Sequence, residues 1–265
     1  MSRRWKIGAA LLLLSIIGAA AFSAGRYWWA DWQFRACEDA VRHGDYVQAK
    51  QHLKACATVW TSSWRCQLWK IRLARLTGQI DDAERLLLAA KLRQEIPHEA
   101  LRLENSLLKA QQGLCDGYEE ERLRNLVDAD HPDAPLILHA LVLGYLRLYR
   151  LHDAQDCLKV WLEAEPDNVD ALLQLGKSHE RLIQSRLAME TYQHILKLKP
   201  DDDELRIRVA LLLVAGNQIP EATAHIEPLL ERHRADPRVQ LSAGIYRHSQ
   251  GKLDDAAVLL DDLLK

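Results

Sequence analysis

From Ile7 to Gly25 the chain reads IGAALLLLSIIGAAAFSAG, 19 consecutive uncharged and mostly apolar positions. A helix of that length spans about 28 Å, close to the thickness of a bilayer core. Beyond it the pattern changes. Short segments carry apolar residues at helical spacing, as in Leu53, Cys56, Ala57 and Trp60, or Ile195, Leu196 and Leu198 after Tyr192, and polar turns separate them. The expectation is an all-α chain: one long apolar helix, then many short amphipathic ones.

The flanks of the apolar run give it a direction. Arg3, Arg4 and Lys6 precede it, which keeps the amino terminus cytoplasmic and sends the rest across the membrane. Trp5 stands on one side and Tyr27, Trp28, Trp29 and Trp32 on the other, where amphipathic rings favour the headgroup layer. A cleaved signal peptide shares the basic start and the small residues, but its apolar core is shorter, roughly 7 to 15 residues. Phe22-Ser23-Ala24 is a poor cleavage site; Ala19-Ala20-Ala21 is an acceptable one. With no cysteine near the run's end, a lipoprotein is disfavoured. Residues 1–26 therefore read as a cytoplasmic stub and uncleaved transmembrane anchor, and residues 27–265 as a periplasmic or otherwise extracytoplasmic domain. Secretion after cleavage is the alternative.

That domain repeats itself. Gly44-Asp-Tyr-Val-Gln-Ala49 and Gly78-Gln-Ile-Asp-Asp-Ala83 lie 34 residues apart, and Gly251-Lys-Leu-Asp-Asp-Ala256 has the same internal spacing. Ala154 and Pro166 recur as Ala188 and Pro200, again at 34. The fullest unit, residues 169–202, contains Leu172, Leu175-Gly176, Ala188, Tyr192 and Pro200. This resembles the tetratricopeptide repeat family, whose helix-turn-helix unit has this period and this order of large, small, aromatic and closing Pro positions. His179 and Ile195 depart from the family pattern, standing where an aromatic and a small residue are usual.

The resemblance implies a right-handed superhelical solenoid of antiparallel helix pairs, because a single pair cannot bury its apolar face without a neighbour. The units fall at about 30–63, 64–97, 98–134, 135–168, 169–202, 203–236 and 237–265, with no linker between them. The third is degenerate: Gly113, Cys115-Asp-Gly117 and His131-Pro132-Asp133 suggest longer loops around a short helix near Glu119 to Val127. In the sixth the Gly-to-Ala spacing drifts to six, Gly216 to Ala222, with Pro220 at a helix start. Leu259, Leu260, Leu263 and Leu264 would lie near an uncovered end, so either the natural chain continues past Lys265 or another surface covers them, a second copy of this chain included.

Charge and composition narrow the function. The formal charge of −2 hides a split: residues 1–26 hold four basic side chains and no acid, leaving 31 basic against 37 acidic in the remainder. A net-acidic repeat domain argues against nucleic acid as partner. The 11 histidines and five cysteines form no zinc pattern, and no nucleophile elbow, metalloprotease helix or phosphate loop occurs. Nothing in the sequence calls for a cofactor or points to an enzyme. Cys37 and Cys56 fall on the two helices of the first unit and Cys66 opens the second. In an oxidising compartment Cys56 is a candidate to bridge to either neighbour; the alternative is three small buried apolar residues.

The family resemblance further implies a concave groove lined by the first helix of each unit. Carried over, it draws on Arg65, Leu68, Arg72, Arg75 and Leu76 in the second unit, and His139, Leu143 and Arg147 in the fourth. Lys177 and Arg181 in the fifth and Leu211 in the sixth complete it. Arg65, Arg72 and Arg75 together suggest a grip on a carboxylate or an acidic peptide segment; a solvated helix face is the competing reading. The apolar stretch Leu211-Leu-Leu-Val214-Ala215 suggests partner contact or packing between repeats. The function expected is a membrane-anchored scaffold or chaperone-like adaptor in envelope assembly that binds a protein or extended peptide. Alternatives are the recognition arm of a larger enzyme and a self-associating repeat protein.

Overall fold

The computed structural model describes residues 3–94, 96–233 and 235–261, with side chains from Ile17 onward. Among these residues are fourteen α-helices and no strand. The chain divides into two compact units, Met1–Ala129 and Asp130–Lys265, where the sequence suggests one uninterrupted array. The first unit holds α1 (Arg3–Arg42), α2 (Tyr46–Ala57), α3 (Trp64–Leu76), α4 (Ile80–Arg93), α5 (His98–Gln112) and α6 (Gly117–Asp128). The second holds α7 (Ala134–Arg147), α8 (Leu151–Ala164), α9 (Val169–Arg181), α10 (Ser185–Leu198), α11 (Asp203–Ala215), α12 (Ile219–His233), α13 (Pro237–Ser249) and α14 (Leu253–Asp261).

Odd and even helices pair as hairpins, and one turn closes all seven. A left-handed residue ends each odd helix: Gly44, Gly78, Gly113, Tyr149, Ile183, Asn217 and Gly251, with φ between 57° and 76°. The following N–H then donates to a carbonyl five residues back, as in Gln79 to Ala74 (2.8 Å), Gln184 to His179 (2.8 Å) and Gln218 to Leu213 (2.8 Å). Six even helices carry Ala at the fifth residue after the turn (Ala49, Ala83, Ala154, Ala188, Ala222 and Ala256), each at most 3% exposed. Asn217, not Gly216, is the left-handed residue of the sixth hairpin. The spacing to Ala222 is therefore five, and the drift read from Gly216 is corrected.

A second small position lets the paired helices meet. A Cβ on Gly176 would lie 2.2 Å from Tyr192 Cε1, and one on Gly244 would lie 2.9 Å from Leu260 Cδ2. The glycine and the ring opposite it are thus one packing choice made on two helices. Burial holds the Tyr192 hydroxyl well above its usual pKa.

The third hairpin departs from this scheme. Four residues, Gly113 to Asp116, separate its helices, and Asp116 caps α6 by accepting from the Glu119 N–H at 2.8 Å. Besides the buried Leu123, polar contacts hold α6 to α5: Ser106 Oγ donates to Glu119 Oε1 at 2.5 Å, and Arg122 Nη2 donates to Ser106 Oγ at 2.7 Å.

α1 has two characters. From Ile17 to Trp29 every residue is exposed; from Ala30 onward Ala30, Phe34, Cys37 and Ala40 are buried with Ala49, Leu53 and Cys56 of α2. Among the described residues no helix is long and apolar enough to cross a membrane. The side chains of Ile7 to Ile16, the first part of the apolar run, lie outside those described. At the other end Leu259 and Leu260 are half-buried, while Leu263 and Leu264 lie outside the described residues.

Candidate interaction surface

The arginine triad of the second repeat does not line a groove. Arg75 is fully buried and Arg72 is 6% exposed, and both point from α3 to Glu104 on α5, itself fully buried. Arg75 Nε donates to Glu104 Oε1 at 2.7 Å and Arg72 Nε to Oε2 at 3.4 Å. Gln111, seven residues along α5, accepts from Arg75 Nη1 at 3.3 Å and donates to the Arg75 carbonyl at 3.1 Å. Arg72 also lies 5.1 Å over the Trp69 ring. A carboxylate is already bound here, and it belongs to the chain. Leu68 is buried and Leu76 half-buried, so of the five positions in this repeat Arg65 alone is exposed.

The fourth to sixth repeats give a mixed outcome. His139 is buried, edge-on to Trp161 with ring centroids 5.8 Å apart. Arg181 donates to the Leu146 carbonyl and lies 5.4 Å over the Tyr149 ring. Lys177 is half-buried, its pKa lowered by burial and by the neighbouring Arg208. Arg208 is itself paired with Glu180 at 2.8 Å. Leu143 and Leu211 are half-buried and Arg147 is exposed. In the stretch Leu211 to Ala215, Leu213 is buried and Leu212 and Val214 pack against the second unit's core, so packing between repeats accounts for them. Leu241 and Ile245 on α13 are 50% and 42% exposed.

A surface that gathers exposed basic side chains over apolar area lies in the first unit. α4 ends on the left-handed Gln94, and Pro97 precedes α5. A cleft of about 740 Å³ opens there, within the range of ligand-sized pockets. Buried Ile96 and Leu101 form its floor, and exposed Lys91, His98 and Arg102 line it with Trp64. Lys91 Nζ donates to Asn105 Oδ1 at 2.9 Å. Trp64 is 37% exposed, carries the Arg65 guanidinium 5.7 Å over its ring, and borders a second hollow with Tyr27 and Trp60. An apolar floor under three basic side chains suits an acidic segment with an apolar or aromatic neighbour. The cleft opens at the boundary between the second and third units, where α4 and α5 belong to different hairpins, so a pattern read along either helix does not reveal it.

Among the described residues no group of three or more His, Cys, Asp or Glu side chains is placed to hold a metal ion. No protein-family profile matches the chain. Human intraflagellar transport protein 70A is 29% identical over 142 residues, which cover 54% of this chain and 21% of that protein. Its bovine counterpart is 30% identical over 125 residues, covering 47% and 19%. The chain thus spans about a fifth of the length of these curated relatives. Among solved structures the tetratricopeptide-repeat protein MamA aligns with TM-score 0.52 and 19% identity, over 60% of this chain and 86% of that one. Fourteen described helices paired through one recurrent turn, with this likeness, show a tetratricopeptide-like all-helical fold.

Proposed function

We propose that the protein is a membrane-tethered interaction scaffold whose first unit receives an acidic, partly apolar segment of a partner protein in the α3–α4–α5 cleft. The observation that carries this reading is the meeting of Lys91, His98 and Arg102 over the buried Ile96 and Leu101 beside the ring of Trp64. Mixed recognition of this kind gives register through the charges and affinity through the buried apolar contact. The tether is α1. Its exposed residues include Ile17, Phe22, Trp28 and Trp32, at 57–82% exposure. An apolar surface of that size needs a lipid or protein environment, and the basic residues ahead of it favour a cytoplasmic amino terminus with the repeats outside.

The test is site-specific photo-cross-linking in native membranes, with the photoreactive residue at Asn105 in the cleft. A partner should be captured, and the double charge reversal Lys91→Glu with Arg102→Glu should weaken capture at least about tenfold, with helical content unchanged. Capture that survives the reversal would remove the cleft from the function.

A further inference from the structure

We infer that Cys56 and Cys66 are a disulfide site, closed by thiol–disulfide exchange while the first unit folds. Cys56 lies in the last turn of α2 and Cys66 in the first turn of α3, with nine residues between them. Their sulfurs are 3.5 Å apart, and both side chains are buried, at 0% and 2% exposure. The geometry chooses between the two partners that the sequence leaves open for Cys56. Cys37 on α1 belongs to the same apolar core, but its thiol makes no hydrogen bond to either sulfur, whereas the Cys56 and Cys66 thiols share one. The other hydrogen bond of the Cys56 thiol, donated to the Leu53 carbonyl at 3.2 Å, is of the kind any helical cysteine can make.

A disulfide needs its sulfurs at about 2.05 Å. Closing the gap takes about 1.5 Å of approach, within the reach of rotation at two side chains facing each other across one interhelical contact. The oxidant is a small-molecule or protein disulfide, RSSR. One cysteine thiolate attacks it, forming a mixed disulfide and releasing RS⁻; the second thiolate attacks the protein sulfur of that mixed disulfide, forming the Cys56–Cys66 bond and releasing the second RS⁻. The protein loses two protons and two electrons, and RSSR leaves as two RSH. Burial raises the Cys56 thiol pKa in the folded unit, so exchange belongs to folding, before α2 and α3 close over the pair. Once closed, the bond is shielded from reductants and staples the first repeat to the second. It also pins the start of α3, where Trp64 and Arg65 stand. The inference does not rest on the cleft or on any partner.

The experiment is refolding of the full chain in detergent, from denaturant, in a buffer of oxidised and reduced glutathione, followed by alkylation and tryptic mass mapping. Cleavage after Lys54, Arg65 and Lys70 puts Cys56 and Cys66 on separate peptides, and Cys37 on a third ending at Arg42. The expected result is a linked pair of peptides, 55–65 with 66–70, with Cys37, Cys115 and Cys157 alkylated. The oxidised protein should also melt at least about 5 °C above the same protein after reduction. Cys37→Ser should leave the linkage in place. Five alkylated thiols, a Cys37–Cys56 linkage, or an oxidised form that melts no higher than the reduced one would each overturn the assignment. The comparison of oxidised with reduced wild type needs no variant to fold.

Discussion

Ile183 holds a left-handed turn at φ 60° with 88% of its surface exposed, a conformation that a β-branched residue adopts only under constraint. The left-handed backbone costs an ordinary residue about 1–2 kcal/mol, and glycine escapes most of this while losing more chain entropy on folding. Ile183→Gly should therefore stabilise the second unit by about 1 kcal/mol, read as a higher denaturant midpoint. Gly176 presents the opposite case. Its backbone is ordinary helix, but the Tyr192 ring occupies the space a methyl would need. Gly176→Ala should destabilise the same unit by about 1–3 kcal/mol through overpacking. A substitution to glycine and one away from it thus move stability in opposite directions, one through backbone dihedral and the other through contact. A lower midpoint for Ile183→Gly would refute the cost assigned to the turn, and an unchanged or higher midpoint for Gly176→Ala would refute the close approach to Tyr192.

At the scale of elements, α3 and α5 are joined by two cations on one buried carboxylate. Removing Glu104 takes away the buried carboxylate on which Arg75 and Arg72 converge, so Glu104→Ala should cost about 3–5 kcal/mol and melt the first unit ahead of the second, seen as a separated early transition in helical signal. A single merged transition at the wild-type midpoint would refute that role. The same network explains where the sequence stops being informative. Gly44, Gly78, Gly251 and the buried alanines marked their hairpins because glycine and a small residue are the commonest solutions to a left-handed turn and a close approach. The turns at Tyr149, Ile183 and Asn217 use the same backbone with residues that do not advertise it. Arg65, Arg72 and Arg75 share a composition that suggests a ligand, and a pattern read along one helix cannot say that Glu104, a repeat later, faces two of them. A signal was present: Glu104 and Gln111 are the polar interruptions of an otherwise apolar face of α5 that includes Leu101, Leu107 and Leu108. Buried polar residues one repeat apart call for each other, since neither can be buried unpaired.

For the whole molecule, the decisive question is whether α1 can tether the repeats without being part of their core. Thirteen consecutive exposed residues, Ile17 to Trp29, precede Ala30, the first buried one among the described side chains. At ~1.5 Å per residue this is about 20 Å of helix without a buried residue. A variant beginning at Tyr27 should therefore keep the full chain's melting temperature within about 2 °C, because the face formed by Ala30, Phe34, Cys37 and Ala40 survives intact. It should nevertheless leave the membrane fraction, whereas the full chain should stay there through alkaline carbonate. A variant beginning at Asp31 discards the fully buried Ala30 and should melt lower, which separates the loss of tether from the loss of core. Release of the full chain by carbonate would refute the tether, and retention of the shortened one would place it outside α1. The intact mass of the membrane-bound protein then decides between anchor and signal: a first residue at Phe22 or Gly25 would mean that the apolar run is cut away, and a mass that includes Arg3 to Gly25 would mean that it stays in the bilayer.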